Sequence, residues 1–402
     1  MSSSSHEIVL TSSPDGLITA YDASSGAILA RFTGSRSPRQ GLALAGNAFI
    51  AASHISSATA SGSVHLYNWW SSTVFHYLPL PEPVAPLTAT PDGSYVFVGG
   101  LSGNIHALSL PLGNVFKSLP AHEKPVSCLK ITDDGSLLIS GGDDGTIVAI
   151  PIFRLVEASS ANENGLSVNL ILHRFAAHAD SVTGLALYNT TLISCSLDST
   201  CKFWNLLHGT HLRTVAFPCT IFGVAVNPTE TEFYAAGSDG FVYKGLTLIK
   251  VGSSGREVVK WAQKHDGAVM SLMTMNEGRD VVSAAEDGSV WIREVATGHV
   301  IMALKNETES ISDMVVATGI SSGKGKGVNE LSGGNYWSSL GLSGRELSFP
   351  VKQTLEMEDI LSVAANDRSR AIDMLESGIK VYERLLELIL KEAKQGSGND
   401  GE

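Results

Sequence analysis

A two-residue turn returns seven times at nearly equal spacing, and this recurrence limits the chain to a repeat architecture. The turns are Asp15-Gly16, Ser61-Gly62, Ser102-Gly103, Asp144-Gly145, Asp198-Ser199, Asp239-Gly240 and Asp287-Gly288. Their second residues are separated by 46, 41, 42, 54, 41 and 48 positions. The spacing is close to the roughly 40 to 45 residues that one WD repeat occupies. The pattern therefore predicts seven such units.

Each turn lies between two short stretches of apolar and β-branched residues, such as residues 136–140 and 145–150 around the fourth turn. These stretches predict paired strands, and the turn glycine predicts a two-residue hairpin with positive φ at a central position. One four-stranded unit cannot bury both its faces, so the units must stack around an axis and close into a ring. We therefore predict an all-β fold, a seven-bladed WD-repeat β-propeller over residues 1–318, followed by a C-terminal α-helix.

The two ends of this propeller are predicted to share one blade. The first recognisable strand, Glu7–Ser12, already precedes a hairpin turn, so the first blade lacks its innermost strand. Residues 311–318 lie downstream of the seventh unit and have a strand-like sequence. They can supply the missing strand and thereby close the ring.

One polar pattern recurs in three of the repeats. It is complete in one repeat, at His178, Ser194, Asp198 and Trp204. Its first three members occur in two others, as His122, Ser140 and Asp144, and as His265, Ser283 and Asp287. Ile150 and Arg293 stand at the tryptophan position of those two repeats.

Ser, His and Asp together are also the groups that nucleophilic hydrolysis needs as nucleophile, base and orienting carboxylate. Recurrence favours a structural role, because an enzyme needs one site whereas a blade network recurs with the blade. We predict that these ten residues are a structural blade network and that the protein is not an enzyme. The repeats without the pattern are expected to rely on apolar packing.

No other motif indicates a metal or a cofactor, and none of either is expected. No CxxC pair or zinc-finger spacing connects the four cysteines, which are Cys128, Cys195, Cys201 and Cys219. The acidic pairs Asp133-Asp134 and Asp143-Asp144 lie in turns, where Asp satisfies backbone donors. Residues 319–334 are glycine-rich but lack the GxxxxGK[ST] pattern of a phosphate-binding loop.

Charge and hydropathy restrict the partners and the compartment. A net charge of -12 argues against a general nucleic-acid binder, although it leaves direct RNA contact open. The N-terminus has no basic segment followed by a long apolar stretch, and no run approaches the roughly 20 apolar residues of a membrane span. We therefore expect a protein of a reducing compartment without a membrane anchor.

Two segments depart from the repeat. Residues 154–170 lengthen the fourth step and are expected to project between blades, either as a partner contact or as a tolerated surface loop. Residues 319–354 are expected to form a glycine- and serine-rich linker, and residues 355–395 a C-terminal helix and candidate coiled coil.

The predicted helix carries an apolar seam with alternating steps of three and four residues, as in a heptad repeat. Its members are Ile372, Leu375, Ile379, Tyr382, Leu386, Ile389 and Ala393. The seam permits packing on the propeller, pairing with a partner's helix, or pairing with an identical helix in either orientation. Of these alternatives, we expect homodimerisation through the C-terminal helix.

Beyond the repeat, several short segments resemble one family of WD-repeat proteins. They are Ser37-Pro38 with Gly41-Leu42, Ala52-Ser53-His54, Ser61-Gly62-Ser63, Trp69-Trp70, Ile152-Phe153-Arg154-Leu155, the segment from Asp198 to Trp204, Phe217-Pro218 and Asn227-Pro228. The chain resembles the family of plant ROOT INITIATION DEFECTIVE 3 proteins, animal WD repeat-containing protein 18 and the fungal WD-repeat subunit of the Rix complex. The resemblance covers most of the chain.

This resemblance implies a non-enzymatic scaffold of the nucleolus and nucleoplasm that acts in large ribosomal subunit assembly and precursor rRNA processing. Its partners would be other subunits of a Rix-type complex and pre-ribosomal particles. Two other functions remain open from the residues alone. A ubiquitin-ligase substrate receptor or signalling scaffold would use the same propeller, and a propeller enzyme would need convergent acidic or nucleophilic residues at the axial channel.

Overall fold

The computed structural model describes residues 7–14, 16–46, 48–56, 61–69, 71–110, 112–160, 170–247, 258–304 and 310–318. These residues form seven four-stranded antiparallel sheets, which we number as blades 1 to 7. The predicted linker, the predicted C-terminal helix and its seven seam residues lie outside the described residues. So do residues 161–169 of the insert. In the described part of the chain, no helix has the length and apolar character needed to cross a membrane.

Strands are numbered along the chain and given from the inner to the outer edge of each blade. Blade 1 consists of β28 (Asp313–Thr318), β1 (Glu7–Ser12), β2 (Leu17–Asp22) and β3 (Ile28–Thr33), and blade 2 of β4 (Leu42–Ala45), β5 (Phe49–Ile55), β6 (Gly62–Asn68) and β7 (His76–Leu80). Blade 3 consists of β8 (Val84–Ala89), β9 (Tyr95–Gly100), β10 (Asn104–Ser109) and β11 (Asn114–Pro120). Blade 4 consists of β12 (Val126–Ile131), β13 (Leu137–Gly142), β14 (Thr146–Pro151) and β15 (His173–Ala176). Blade 5 consists of β16 (Val182–Tyr188), β17 (Thr191–Ser196), β18 (Thr200–Asn205) and β19 (Thr210–Ala216). Blade 6 consists of β20 (Ile221–Val226), β21 (Glu232–Gly237), β22 (Val242–Leu246) and β23 (Val258–Lys260). Blade 7 consists of β24 (Val269–Met275), β25 (Asp280–Ala285), β26 (Val290–Glu294) and β27 (Val300–Leu304). A single-turn 3-10 helix (Asn276–Gly278) joins β24 to β25.

The seven inner strands contact one another in sequence and make a closed ring, in which β28 packs against both β24 and β4. Within blade 1, β28 pairs antiparallel with β1, so that Ser12 lies opposite Asp313 and Glu7 opposite Thr318. The prediction of a seven-bladed propeller is therefore confirmed. The prediction that residues 311–318 supply the missing innermost strand is confirmed as well.

The recurring turns join the second and third strands of the blades, as predicted, but they have three residues and not two. Between β13 and β14 the loop is residues 143–145, and the Gly145 amide donates to the Gly142 carbonyl at 3.1 Å. Gly145 has a φ of 76°, and Ser199 has a φ of 63° at the equivalent position. This is a turn followed by one left-handed residue, the usual three-residue hairpin loop. Gly62 is the exception, since it is the first residue of β6.

The core lies between neighbouring blades rather than within any one of them. Ile193 and Phe203 of blade 5 pack with Phe233 and Ala235 of blade 6, and the two phenyl rings meet edge to face at 5.3 Å. Burying each large apolar side chain contributes about 1.5 to 3 kcal/mol. Because each blade completes the core of the next, the closed ring is the stable unit.

The insert departs from the prediction in its position and in its structure. It joins β14 to β15 within blade 4 and therefore does not lie between two blades. It begins with helix α1 (Ile152–Ser160), whose Ile152 and Leu155 are buried in the core with Ile150 and Leu170. The apolar spacing of residues 152 and 155 fits one face of a helix, so this end of the insert is anchored and not projecting.

Candidate functional site

The complete polar set of blade 5 forms one hydrogen-bonded chain. His178 lies in the loop before β16, and its Nδ1 is 2.9 Å from the Asp198 carboxylate in the turn. Its Nε2 is 2.8 Å from the Ser194 hydroxyl on β17, and the Trp204 indole on β18 donates to that hydroxyl at 2.9 Å. Ser194 therefore donates to the imidazole and accepts from the indole, so every polar atom of the chain has a partner.

Burial sets the charges in this chain. It lowers the pKa of His178, although the Asp198 carboxylate acts in the opposite direction. Burial alone would raise the pKa of Asp198, but hydrogen bonds from Thr200 and His178 outweigh it and the pKa is lowered. At neutral pH the network is thus a neutral imidazole held by a carboxylate, which fixes the tautomer with the proton on Nδ1.

Blade 4 repeats this arrangement without the tryptophan. His122 Nδ1 is 3.2 Å from the Asp144 carboxylate and 2.9 Å from the Thr146 hydroxyl. Its Nε2 is 2.8 Å from the Ser140 hydroxyl. Ile150 is fully buried at the tryptophan position. An apolar side chain therefore fills the same space without a fourth hydrogen bond.

Blade 7 brings the same residue types together differently. His265 Nε2 is 2.9 Å from the Ser283 hydroxyl, but its Nδ1 bonds the Ser289 hydroxyl. Asp287 accepts that hydroxyl and two backbone amides of the loop before β24. The aspartate thus holds the histidine through an intermediate hydroxyl. Burial, followed by the charge of Arg293, lowers the pKa of His265 to about 4.

Arg293 of blade 7 occupies the tryptophan position and is fully buried. Its Nη1 donates to the Gln263 carbonyl at 2.8 Å, and its guanidinium lies 4.9 Å from the Trp291 ring and 5.7 Å from the Trp261 ring. Nε and Nη2 have no hydrogen-bond partner among the described residues. Burial lowers the pKa of Arg293 to about 10, since a guanidinium loses its hydration there.

The networks also join neighbouring blades through the turn glycines. Turn carbonyls accept the histidine amides of the next blade in three pairs, Gly103 with His122, Gly145 with His178, and Gly240 with His265. A Cβ atom on Gly145 would meet the His178 carbonyl oxygen. Glycine is therefore needed there both for its positive φ and for this close approach.

Three further blades carry polar networks that the sequence analysis missed, so the expectation that they rely on apolar packing alone was wrong. In blade 3, His106 on β10 lies between the Glu82 carboxylate at 2.7 Å and the Ser118 hydroxyl at 2.8 Å. Glu82 also accepts the amide and hydroxyl of Ser102 in the turn. The acid and the imidazole have exchanged places relative to blade 5.

Blades 2 and 6 have networks of their own. In blade 2, His65 lies 2.8 Å from the Ser35 hydroxyl, which also bonds the Tyr67 hydroxyl at 2.7 Å. In blade 6, the Tyr243 hydroxyl donates to the Asp239 carboxylate at 2.6 Å. The sequence does contain a pattern from which these three networks could have been predicted. Each central residue lies three positions after its turn glycine: His65 after Gly62, His106 after Gly103, and Tyr243 after Gly240.

Access decides what these networks can do. Ser140, Ser194 and Ser283 are fully buried, so no substrate can reach a hydroxyl that an adjacent imidazole would activate. The geometry therefore supports blade stabilisation. In the part of the chain that the structure describes, no group of three or more His, Cys, Asp or Glu side chains is placed to hold a metal ion.

The axial channel is the other concave feature, and all seven inner strands line it. Segment 39–40 closes the end where these strands begin. Arg39 donates to the carbonyls of Thr183 and Phe222, and Gln40 donates to the Thr183 carbonyl at 3.1 Å. Besides Arg39, the charged residues that line the described part of the channel are Lys130 and Asp313. This is not the convergent acidic or nucleophilic set that a propeller enzyme needs.

Comparison with known proteins agrees with this fold. The WD domain, G-beta repeat (WD40), matches residues 113–148 and 170–205, which contain most of the blade 4 and blade 5 networks. The computationally designed Ika8 protein has a similar structure with a TM-score of 0.56 over 76% of this chain and 85% of its own, at 20% sequence identity. The structural likeness supports the fold alone.

Curated relatives match over much of the propeller. ROOT INITIATION DEFECTIVE 3 of Arabidopsis thaliana is 30% identical over 71% of this chain and 65% of its own length. WD repeat-containing protein 18 of Homo sapiens is 24% identical, over 71% and 67%. Pre-rRNA-processing protein crb3/ipi3 of Schizosaccharomyces pombe is 24% identical, over 45% and 42%. The chain thus spans about two thirds or less of the length of these relatives. The chain is therefore a WD40-repeat propeller that is similar in sequence to ROOT INITIATION DEFECTIVE 3, WD repeat-containing protein 18 and crb3/ipi3, the proteins that the sequence resemblance pointed to.

Proposed function

We propose that this protein is a non-enzymatic scaffold in ribosome biogenesis, acting in precursor rRNA processing and large-subunit assembly in the nucleus. The similarity to crb3/ipi3, whose name states pre-rRNA processing, over 45% of this chain carries the proposal. A Rix-type complex and pre-ribosomal particles are the proposed partners.

The geometry supports a scaffold over an enzyme. The Ser, His and Asp groups recur in buried networks that connect neighbouring blades, where they restrict motion but reach no substrate. Fully satisfied polar networks of this kind hold one arrangement of a core. The consequence is a rigid ring whose two faces and outer edge stay available to partners.

Depletion followed by RNA analysis tests the function. Loss of the protein should cause precursor rRNA that retains an internal spacer to accumulate, because a scaffold is needed to assemble the processing machinery. Affinity purification with mass spectrometry should recover large-subunit precursors. Normal precursor levels after efficient depletion, together with recovery of ubiquitin-ligase components, would replace this function with that of a substrate receptor.

We also propose that the protein self-associates through the seam of residues 372–393. Its support is the heptad spacing alone, which would leave a strip of Leu, Ile and Tyr uncovered in a single helix. Replacing Leu375, Ile379 and Leu386 together by Asp would bury charge in such a pairing and should yield monomers in light scattering. A wild-type monomer, or a dimer that survives the triple change, would remove the seam as the interface.

A further inference from the structure

Two side chains of the protein cross one end of the axial channel. Arg39 and Gln40 reach across it from the start of β4 to the carbonyls of β16 and β20 on the far side of the ring. The Arg39 guanidinium also lies 4.8 Å from the Phe222 ring. Arg39 and Gln40 therefore cross the end where the inner strands begin, and we call the other end, where these strands finish, the open end.

Charge distinguishes this cavity from the rest of the molecule. Lys130, the penultimate residue of β12, lies towards the open end, and its ammonium has no hydrogen bond or ion pair with any described residue. The other charged lining residue, Asp313, begins β28 at the closed end, and its two oxygens accept the amides of Leu42 and Met314. A lysine with no ion-pair partner among the described residues thus lines the channel of a protein whose net charge is -12.

Two further features mark the interior as suited to an anion. The Arg39 Nε, at the end of the channel where the inner strands begin, is buried and has no hydrogen-bond partner in the described part of the chain. The only carboxylate in the lining is already satisfied by backbone amides and does not neutralise Lys130. Charge-assisted hydrogen bonds to an anion are roughly twice as strong as those between neutral groups. An anionic ligand would therefore gain more binding free energy in this cavity than a neutral one.

Size restricts the guest. The cavity has a volume of about 240 Å³. Sites for cofactors and drug-sized ligands have volumes of about 300 to 1,000 Å³, so this one is too small for them. A single side chain fits, and a scaffold recognises partners through inserted side chains of this kind.

We propose that the open end of the axial channel receives an acidic side chain from a protein partner, with Lys130 as its counter-ion. The proposal deepens the scaffold function and rests on it for the existence of a partner. Its test uses purified protein, so binding succeeds or fails independently of any effect on rRNA processing.

The test measures fluorescence anisotropy of a labelled hexaglutamate peptide with the full-length protein. Wild type should bind it, and Lys130→Gln should weaken binding roughly tenfold, which corresponds to about 1.4 kcal/mol. Lys130→Arg keeps the charge and should stay within about threefold of wild type. Lys124→Gln is the matched control, because it removes an exposed lysine at the opposite, closed face and changes net charge equally.

Three results would overturn the proposal. One is no wild-type binding at about 1 mM peptide, which leaves less than about 4 kcal/mol of affinity. Another is an equal loss in Lys130→Gln and Lys124→Gln, which would indicate attraction by net charge alone. The third is binding of labelled hexauridylate without binding of the peptide, which would make the guest a nucleic acid. Thermal melting of each variant confirms that a loss of binding is not a loss of fold.

Discussion

Blades 5 and 7 place the same three residue types in the same positions but differ in the fourth. In blade 5, Trp204 donates to the Ser194 hydroxyl and completes a chain in which each polar atom is paired. In blade 7, Arg293 fills that position and donates to a loop carbonyl, and two of its nitrogens have no partner within the described ranges. Blade 7 also inserts a serine hydroxyl between its aspartate and its histidine.

The residue at the fourth position is buried in all three blades, whereas a described hydrogen bond from it to the serine hydroxyl occurs in blade 5. Blade 4 has a buried isoleucine there, blade 5 an indole and blade 7 a guanidinium between two indole rings. All three blades keep the contact between histidine and serine. Blade 5 should therefore lose most when its fourth residue is altered, and blade 7 least.

Truncating the fourth residue of blade 5 should have the largest effect. Trp204→Ala removes a buried ring packed on Phe175 and should lower the free energy of unfolding by about 3 to 5 kcal/mol. Trp204→Phe keeps much of the ring but loses the indole donor, so a smaller loss is expected. Urea unfolding measures both. Equal losses would show that the indole hydrogen bond, and not the volume, dominates.

Lowering the pH should destabilise the protein through His265 of blade 7, because the pKa of this histidine lies below that of a free imidazole. The pKa of His265 is about 4 in the folded chain against 6.5 for a free imidazole. The unfolded chain therefore binds a proton between these values that the folded chain does not, so stability is present above pH 6.5 and falls as pH drops. The loss from this group reaches roughly 3 kcal/mol near pH 4. His265→Gln should show a shallower decline in unfolding free energy over this range, and an unchanged slope would contradict the assignment.

The sequence predicts the ring because its determinants are local and periodic. The turn glycines recur at the spacing of WD repeats. Because the first blade lacks its innermost strand at the N-terminus, counting strands is enough to predict that β1 pairs with β28. Turn length was predicted wrongly, because a glycine with positive φ serves both a two-residue hairpin and the left-handed end of a three-residue loop.

Networks in which the acid and the histidine occupy each other's positions were harder to predict. His178 and Asp198 stand at offsets typical of the repeat, whereas His106 and Glu82 reverse the places of base and acid. A search for one residue type at one position misses this exchange. Aligning repeats at the turn glycine would have found His65, His106 and Tyr243, because all three lie at the same offset. Which loop residue meets each of them depends on loop conformation that the sequence does not specify.

Removing the aspartate should affect blade 5 more than blade 7. Asp198→Ala removes the 2.9 Å carboxylate partner of the buried His178 Nδ1, leaves it only the longer 3.2 Å contact with the Thr200 hydroxyl, and should cost about 1 to 3 kcal/mol. Asp287→Ala leaves His265 still bonded to Ser289, so its cost should lie at the lower end of that range. Thermal unfolding compares the two. An unchanged midpoint for Asp198→Ala would remove the role we assign to this aspartate.

The smallest effect is expected from Arg293→Met, the change that makes blade 7 resemble blade 4. It removes a buried guanidinium, two of whose nitrogens have no hydrogen-bond partner where the structure describes the chain, and whose desolvation opposes folding. The thioether has a similar length and can contact the faces of Trp261 and Trp291. The Gln263 carbonyl loses its donor, but Gln263 is exposed and water can replace it.

We therefore expect an unfolding free energy within about 1 kcal/mol of wild type, since replacing buried charge by apolar volume is often neutral or stabilising. Because Arg293 also helps to lower the pKa of His265, its removal should raise that pKa and make the acid-dependent decline shallower. Arg293→Ala is the matched control, as it removes the charge and the volume together and should be clearly less stable. A loss above about 2 kcal/mol in Arg293→Met would show that the guanidinium itself stabilises blade 7 through its two indole neighbours.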